Sequence, residues 1–236
     1  MDHQAARTFV GVGVYSVHQA ARLSGVPARS IRRWLMGYSY RYRDAVTRQP
    51  PVIAAELAAS DDGVLALSFR DLIEIRFVYS FRELGVSWKV IRLAAEKARS
   101  LFQTDHPFTT EAFFSDGRAI FAQLQDEGVQ ERRLVDLVSD QYCFRNVMLP
   151  SFRAQIELSP KGAAERWWPL GRNKKIVLDP ARQFGQPIVD DQAVPTAVLA
   201  KATAVMGSEQ LVAKWYDVPR ASVHQAVLYE RQLAAA

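Results

Sequence analysis

VYSVHQAARLSGVPARSIRRWLMGYSYRYR, running from Val14 to Arg43, is the stretch that decides the fold. Val17, Ala20, Ala21 and Leu23 recur at helical spacing behind Ser16, whose hydroxyl suits an N-cap. Gly25-Val26 interrupts the pattern, and glycine tolerates the positive φ that a sharp reversal between helices demands. Pro27 suits the first turn of a following helix, where no N–H donor is needed. Ile31, Trp34 and Leu35 mark that helix's buried side, which leaves Arg29, Ser30, Arg32 and Arg33 free to face outward. The spacing predicts a helix-turn-helix, whose second helix commonly enters the major groove of DNA. After Gly37, the alternating run Tyr38–Arg43 suits a wing strand better than more helix. A helical hairpin with a glycine turn also occurs in ordinary all-α cores, so charge has to discriminate between the two.

Charge favours the nucleic-acid reading. Residues 1–60 hold eight arginines (Arg7, Arg22, Arg29, Arg32, Arg33, Arg41, Arg43, Arg48) against Asp2, Asp44 and Glu56. That surplus equals the whole chain's net charge of +5, so the remainder sums to zero. Every cation there is arginine, which forks to phosphate oxygens or to guanine O6 and N7, where lysine is a point charge. Positive charge gathered on one module is the electrostatic footprint of a nucleic-acid binder.

At 236 residues, with 49% apolar content, the chain is long enough and apolar enough for a good core in one to three domains. Cys143 is the one cysteine, which excludes an intramolecular disulfide and fits a reducing, cytoplasmic compartment. Tyr142 and Phe144 on either side suggest a buried thiol. The N-terminus has no signal-peptide pattern, and no apolar run approaches the ~20 residues that span a bilayer.

Along the rest of the chain, residues 44–66 fit two short strands that complete a small sheet with the wing. Ser68 opens a strong helix with Asp71 in a capping-box position, followed by Phe69, Leu72, Ile73, Phe77, Phe81 and Leu84. Gly85-Val86-Ser87 breaks it, and a second helix runs from Trp88 to about Phe102. Mixed charge makes this pair a support for the head. Asp116-Gly117 between Ala112-Phe113-Phe114 and Arg118–Phe121 predicts a hairpin, and Arg132–Phe144 a helix. Residues 151–190 read as short strands around Ser159–Gly162 and Asp179-Pro180. Trp167-Trp168 suits either core or a contact surface. Helices follow from Pro195 to Met206, from Ser208 to Tyr216, and on to Leu233. Shifted by about 192 positions, this last pair falls on the opening motif: Ser16 on Ser208, Val26-Pro27 on Val218-Pro219, Ile31 on Val223. The second copy is neutral overall, a poor phosphate binder, and suits dimerisation or partner contact.

Chemistry-bearing patterns are sparse. His3, His18, His106 and His224 do not combine with Cys143 or an acid at zinc-site spacing. Gly11-Val12-Gly13 lacks the rest of a dinucleotide fingerprint, and there is no phosphate loop or nucleophile elbow. Acid pairs at Asp61-Asp62, Asp126-Glu127 and Asp190-Asp191 keep a metal-dependent nuclease as a minor alternative. The expectation is no catalytic residue, no metal and no cofactor.

Two resemblances overlie this reading. YSVHQAARLSGVPARSIRRW, the aromatic-basic wing and SFRDLIEIRFVYSFRELGVSWKVIR resemble the DNA-binding head of MerR-type regulators. VLDPARQFGQPIVDDQAVPTAVLAKA with SEQLVAKWYDVPRASVHQAVLYE resembles a small bacterial domain found in VapB-type antitoxins, often encoded beside a PIN-like ribonuclease toxin. The chain turns away from the long coiled coil that follows a MerR-type head, so effector or metal sensing does not carry over.

The expectations are these. The fold is α+β, mainly α with small β elements: a winged helix-turn-helix head over 1–104, a hairpin and connecting helix over 105–150, and an antitoxin-like domain over 151–236. The resemblances imply a homodimeric regulator that binds operator DNA, and an antitoxin that neutralises a PIN-like toxin and represses its own operon. The alternatives are a protein-interaction module with incidental DNA binding and a MerR-like regulator unrelated to a toxin. Arg29, Ser30, Arg32 and Arg33 would meet the major groove. Tyr40, Arg41, Tyr42 and Arg43 would follow the backbone or minor groove, and Ser16, Tyr38 and Arg48 complete the set. Trp167, Trp168, Trp215, Tyr216, Val223 and Val227 are the candidate partner or dimer contacts.

Overall fold

Helix follows β1 (Tyr15–Ser16) immediately, because Ser16 ends the strand as an N-cap. Its hydroxyl accepts from the Gln19 N–H, and the Gln19 side chain accepts from the Ser16 N–H, a complete capping box. The computed structural model describes residues 11–43, 45–57, 65–129 and 154–235. They form two compact units, one over Tyr15–Glu165 and one over 166–235 with residues 11–14. The mixed, mainly α architecture expected from the sequence is what is found.

The first unit begins with α1 (Val17–Ser24) and α2 (Ala28–Met36), joined through Gly25 at φ 72°. The Ser24 hydroxyl donates to the Ala20 carbonyl and accepts from the Val26 N–H, which fixes the turn. β2 (Tyr38–Tyr42) pairs antiparallel with β3 (Ala45–Gln49), Tyr38 opposite Gln49 and Tyr42 opposite Ala45. Gly37 sets where this wing leaves α2: at φ 73°, a Cβ there would lie 2.4 Å from the Gln49 carbonyl oxygen.

The expected sheet at 44–66 needs correction. Among the described residues, 45–49 alone joins the wing. Val52 and Ile53 instead donate their N–H groups to the Trp34 carbonyl at the end of α2. β4 (Ala66–Leu67) pairs with β1, Leu67 opposite Tyr15. Such pairing across some fifty residues leaves no local sequence signal.

Ser68 and Asp71 form the expected capping box of α3 (Phe69–Glu83), which reverses at Gly85 into α4 (Trp88–Phe102). Two contacts tie this pair to the head. The Arg76 guanidinium donates to the Ser24 carbonyl at 2.7 Å, and Trp34 of α2 lies 5.3 Å from Trp88. The expected hairpin at Asp116-Gly117 is overturned: α5 (Glu111–Asp126) runs through it, capped by Thr110. Phe113, Ile120, Phe121 and Leu124 are buried along it at helical spacing, and that stripe outweighs the two-residue turn signal. Phe77, Phe81, Phe108, Phe113 and Phe121 make the aromatic centre, with ring separations from 4.8 to 6.4 Å. β5 (Ile156–Leu158) closes the unit, and Gly162 in the turn beyond it accepts the Glu111 N–H. The expected helix at Arg132–Phe144, with Cys143, lies outside the described residues, as does Asp61-Asp62.

Three ionisable side chains are buried beneath this core. Asp71 accepts from the Ser68 and Glu56 N–H groups, yet burial pushes its carboxyl up to about 6. Glu74, one turn on, accepts the Phe108 N–H at 2.8 Å with Oε1 while Oε2 has no hydrogen-bond partner among the described residues, and burial pushes it up to about 8. His106 lies with Nδ1 3.8 Å from Asp71, and burial lowers its pKa.

In the second unit, β6 (Ala164–Trp167), through which the division runs, places Trp167 opposite Leu178 of β7 (Ile176–Leu178). β8 (Pro187–Val189) and β9 (Val194–Pro195) continue the antiparallel order. Three helices follow: α6 (Thr196–Met206), α7 (Glu209–Tyr216) and α8 (Arg220–Ala235). Val189, Leu199, Val212, Val218, Val223, Ala226 and Val227 form their shared core. The internal repeat holds in detail. Ser208 caps α7 as Ser16 caps α1, Asp217 takes the left-handed position of Gly25, and Val218 is buried as Val26 is.

Candidate nucleic-acid interface

Recognition-helix geometry follows from which residues α2 buries. Ile31, Trp34 and Leu35 are inside, so Arg29, Arg32 and Arg33 are exposed and Ser30 half-exposed. Among the described residues, none of these three arginines has an ion pair with a carboxylate. Arg33 has an aromatic neighbour instead: its guanidinium lies 5.0 Å from the Tyr38 ring centre, and Tyr38 lies 6.1 Å from Tyr40. This stack links the helix to the wing.

Strand register sorts the wing. Tyr38 and Tyr40 share a face with Gln49 and Thr47, while Ser39 and Arg41 share the other with Arg48 and Val46. Arg41, Arg43 and Arg48 are exposed and Tyr40 partly so. Arg43 has φ 45°, and Tyr42 ends the strand opposite Ala45. Ser16 is exposed at the start of α1, its hydroxyl engaged in the cap. The structure therefore gathers the candidate DNA-facing residues on α2, the wing and the N-terminus of α1. An exposed ridge of arginine forks beside tyrosines can neutralise phosphates and reach base edges.

The second helix-turn-helix has no such ridge. Ala221, His224 and Gln225 stand at the positions of Arg29, Arg32 and Arg33. Glu209 lies 2.8 Å from His224 and 3.7 Å from Arg220, and the imidazole holds its carboxyl below the usual glutamate range. A carboxylate at the head of the helix pair repels phosphate.

The candidate partner contacts divide by burial. Trp167, Trp168, Val223 and Val227 are buried, Trp168 under the Arg172 guanidinium at 4.3 Å, so their side chains pack inside the fold rather than standing on an exposed face. Tyr216 is half-buried against that core. Trp215 is 75% exposed, and Leu211 one turn earlier is 54% exposed. Of the acid pairs that kept a nuclease open, Asp190 pairs with Arg182, Asp191 with Lys175 and Glu127 with Lys97. Sequence reasoning did not find the buried Asp71–Glu74–His106 group. Its one local signal was Glu74 standing inside the apolar run Leu72-Ile73-Ile75.

No protein-family model matches the chain. Over 215 residues it is 26% identical to a Mycobacterium tuberculosis protein named "Putative antitoxin VapB45", covering 88% of this chain and 89% of that protein. The crystal structure of Rv2018 from Mycobacterium tuberculosis matches with a TM-score of 0.71 at 21% identity, covering 92% of this chain and 99% of that one. The structural likeness shows the fold. Among the described residues, no helix is long and apolar enough to cross a membrane.

Proposed function

We infer that this protein is a DNA-binding antitoxin: its first unit reads operator DNA and its second engages a protein toxin of the PIN-like ribonuclease class. The observation that carries the DNA half is the exposure of Arg29, Arg32 and Arg33 on the outer side of α2, with no carboxylate paired to them among the described residues. In this reading α2 lies in the major groove, and Tyr40, Arg41, Tyr42, Arg43 and Arg48 follow the backbone or minor groove from the wing. The resemblance of the head to MerR-type regulators supports the same docking. Similarity to a protein named as an antitoxin over most of the chain supports the toxin half. A homodimer, matching a two-fold operator, completes the proposal.

The neutral second helix-turn-helix, with Trp215 and Leu211 exposed, favours protein over DNA as that unit's partner. An electrophoretic shift on the promoter-proximal duplex tests the DNA half. The Arg32→Ala, Arg33→Ala variant is expected to bind at least tenfold more weakly, since each base-reading contact is worth ~1–3 kcal/mol. Unchanged affinity would remove the assignment.

A further inference from the structure

The loop from α4 to α5 buries a histidine whose ring goes unused. His106 is 4% exposed, and among the described residues neither ring nitrogen has a hydrogen bond; Nδ1 faces Asp71 at 3.8 Å, beyond bonding distance. Its backbone is pinned on both sides. The His106 N–H donates to the Thr104 hydroxyl at 3.2 Å, and its carbonyl accepts from the Thr109 hydroxyl at 2.8 Å. The imidazole is thus held in place without partners of its own. A buried polar group left unpaired costs stability, and a ligand that pairs it recovers that cost.

The exposed edge of His106 lines an open cavity of about 710 Å³, a volume that suits a small molecule. The cavity lies wholly within the first unit, and none of its lining residues belongs to α2 or the wing. Its other charged lining residues are Arg70, Lys161 and Glu111, two cations against one carboxylate. Arg70 meets Glu56 at 3.6 Å and is 47% exposed, so donors of its guanidinium fork remain available. Lys161 is exposed and has no ion pair among the described residues. Thr110, Glu111 and Ala112 bring the N-terminus of the sixteen-residue α5 to the same cavity, where the helix dipole favours negative charge. Phe102 and Pro160 supply apolar lining. Among the described residues, no three acidic, histidine or cysteine side chains converge as metal ligands, so the chemistry here is that of an anion site.

We propose that this cavity binds a small organic anion, with its carboxylate or phosphate head against His106, Arg70 and Lys161 and its apolar body against Phe102 and Pro160. The site is independent of the DNA and toxin assignments. An oxyanion completes His106: as an imidazolium, the ring donates to the anion on one side and faces the Asp71 carboxylate on the other. The charges around the ring are Asp71 and Arg70 on α3, Arg99 on α4, Glu56 and Asp105 on the flanking loops, and Glu111 and Lys161 on the cavity wall. Burial lowers the His106 pKa in the free protein, and a bound anion raises it, so binding takes up a proton.

The test follows the His106 ring signals by NMR in isotopically labelled full-length protein at fixed ionic strength, with benzoate and inorganic phosphate as probes. At least one probe is expected to shift these signals saturably, with a midpoint on the order of 1 mM or tighter. The pH midpoint of the His106 ring should move upward when benzoate or phosphate is bound. Lys161→Ala removes an exposed cation and leaves the core untouched. It should weaken binding about fivefold or more at an unchanged melting temperature. Saturation by benzoate alone supports an organic carboxylate as the ligand, by phosphate alone a phosphate ester, and by both the shared oxyanion head. No saturable shift with either probe up to about 20 mM would overturn the proposal. So would equal shifts from sodium chloride, a His106 midpoint that does not move, or an affinity unchanged in Lys161→Ala.

Discussion

Replacing Glu74 by glutamine is expected to make the protein markedly more stable at pH 8, by an amount that shrinks steadily toward pH 4.5. Glu74 sits on α3 beneath the aromatic centre, one carboxyl oxygen on the Phe108 N–H and the other without a hydrogen-bond partner among the described residues. Burial pushes its pKa from 4.5 up to about 8, so the folded chain holds a proton that the unfolded chain releases. A raised carboxyl contributes stability that is complete below the unfolded value and lost as pH rises through the folded one. Between about 4.5 and about 8 the loss is ~1.4 kcal/mol per pH unit, in total on the order of 4 kcal/mol. Glutamine has no proton to hold and keeps an oxygen for Phe108. Asp71, raised to about 6, adds its own slope at lower pH to both proteins, so the difference between them isolates Glu74. Urea unfolding at pH 5 and pH 8 measures this. Parallel losses in parent and variant would show that Glu74 is ionised in the fold.

The second large effect is expected from Arg29→Glu, Arg32→Glu, Arg33→Glu. Each substitution removes a cation from the outer side of α2 and places an anion where phosphate would lie. Affinity for any duplex should fall at least 100-fold near 0.1 M salt, and the salt dependence should flatten by about 0.9 for each lost phosphate contact. These side chains are exposed, and the helix is held from its other side by Ile31, Trp34 and Leu35. The melting temperature should therefore stay within a few degrees of the parent. Filter binding and calorimetry on one preparation separate loss of contact from loss of fold.

Local chemistry was the readable part of this chain. Ser16, Gly25, Ser68 and Ser208 announce caps and turns by themselves, because each acts on backbone groups within four residues of its own position. Both helix-turn-helix units and their buried faces were accessible for that reason. Long-range pairing was not: nothing near Ala66-Leu67 indicates a partner at Tyr15-Ser16 rather than in the wing. At Asp116-Gly117 a two-residue turn signal competed with a helical stripe spaced over eleven residues, and the longer pattern prevailed. Trp167 and Trp168 read as core slightly ahead of contact surface, and both are buried, Trp167 through its pairing with Leu178. The arginine ridge was legible because outward-facing positions follow from inward-facing ones.

The central claim, that the arginine-bearing head sits on duplex DNA, is tested most directly by fluorescence anisotropy. The intact protein is titrated onto its promoter-proximal duplex, and onto a scrambled duplex, across a series of salt concentrations. The account predicts promoter binding tighter than scrambled by roughly 10³ or more. It also predicts a linear fall of log K against log salt, with a slope of roughly −4.5 for each protomer bound, about five arginines meeting phosphate. Equal affinity for both duplexes with no dependence on salt would contradict it.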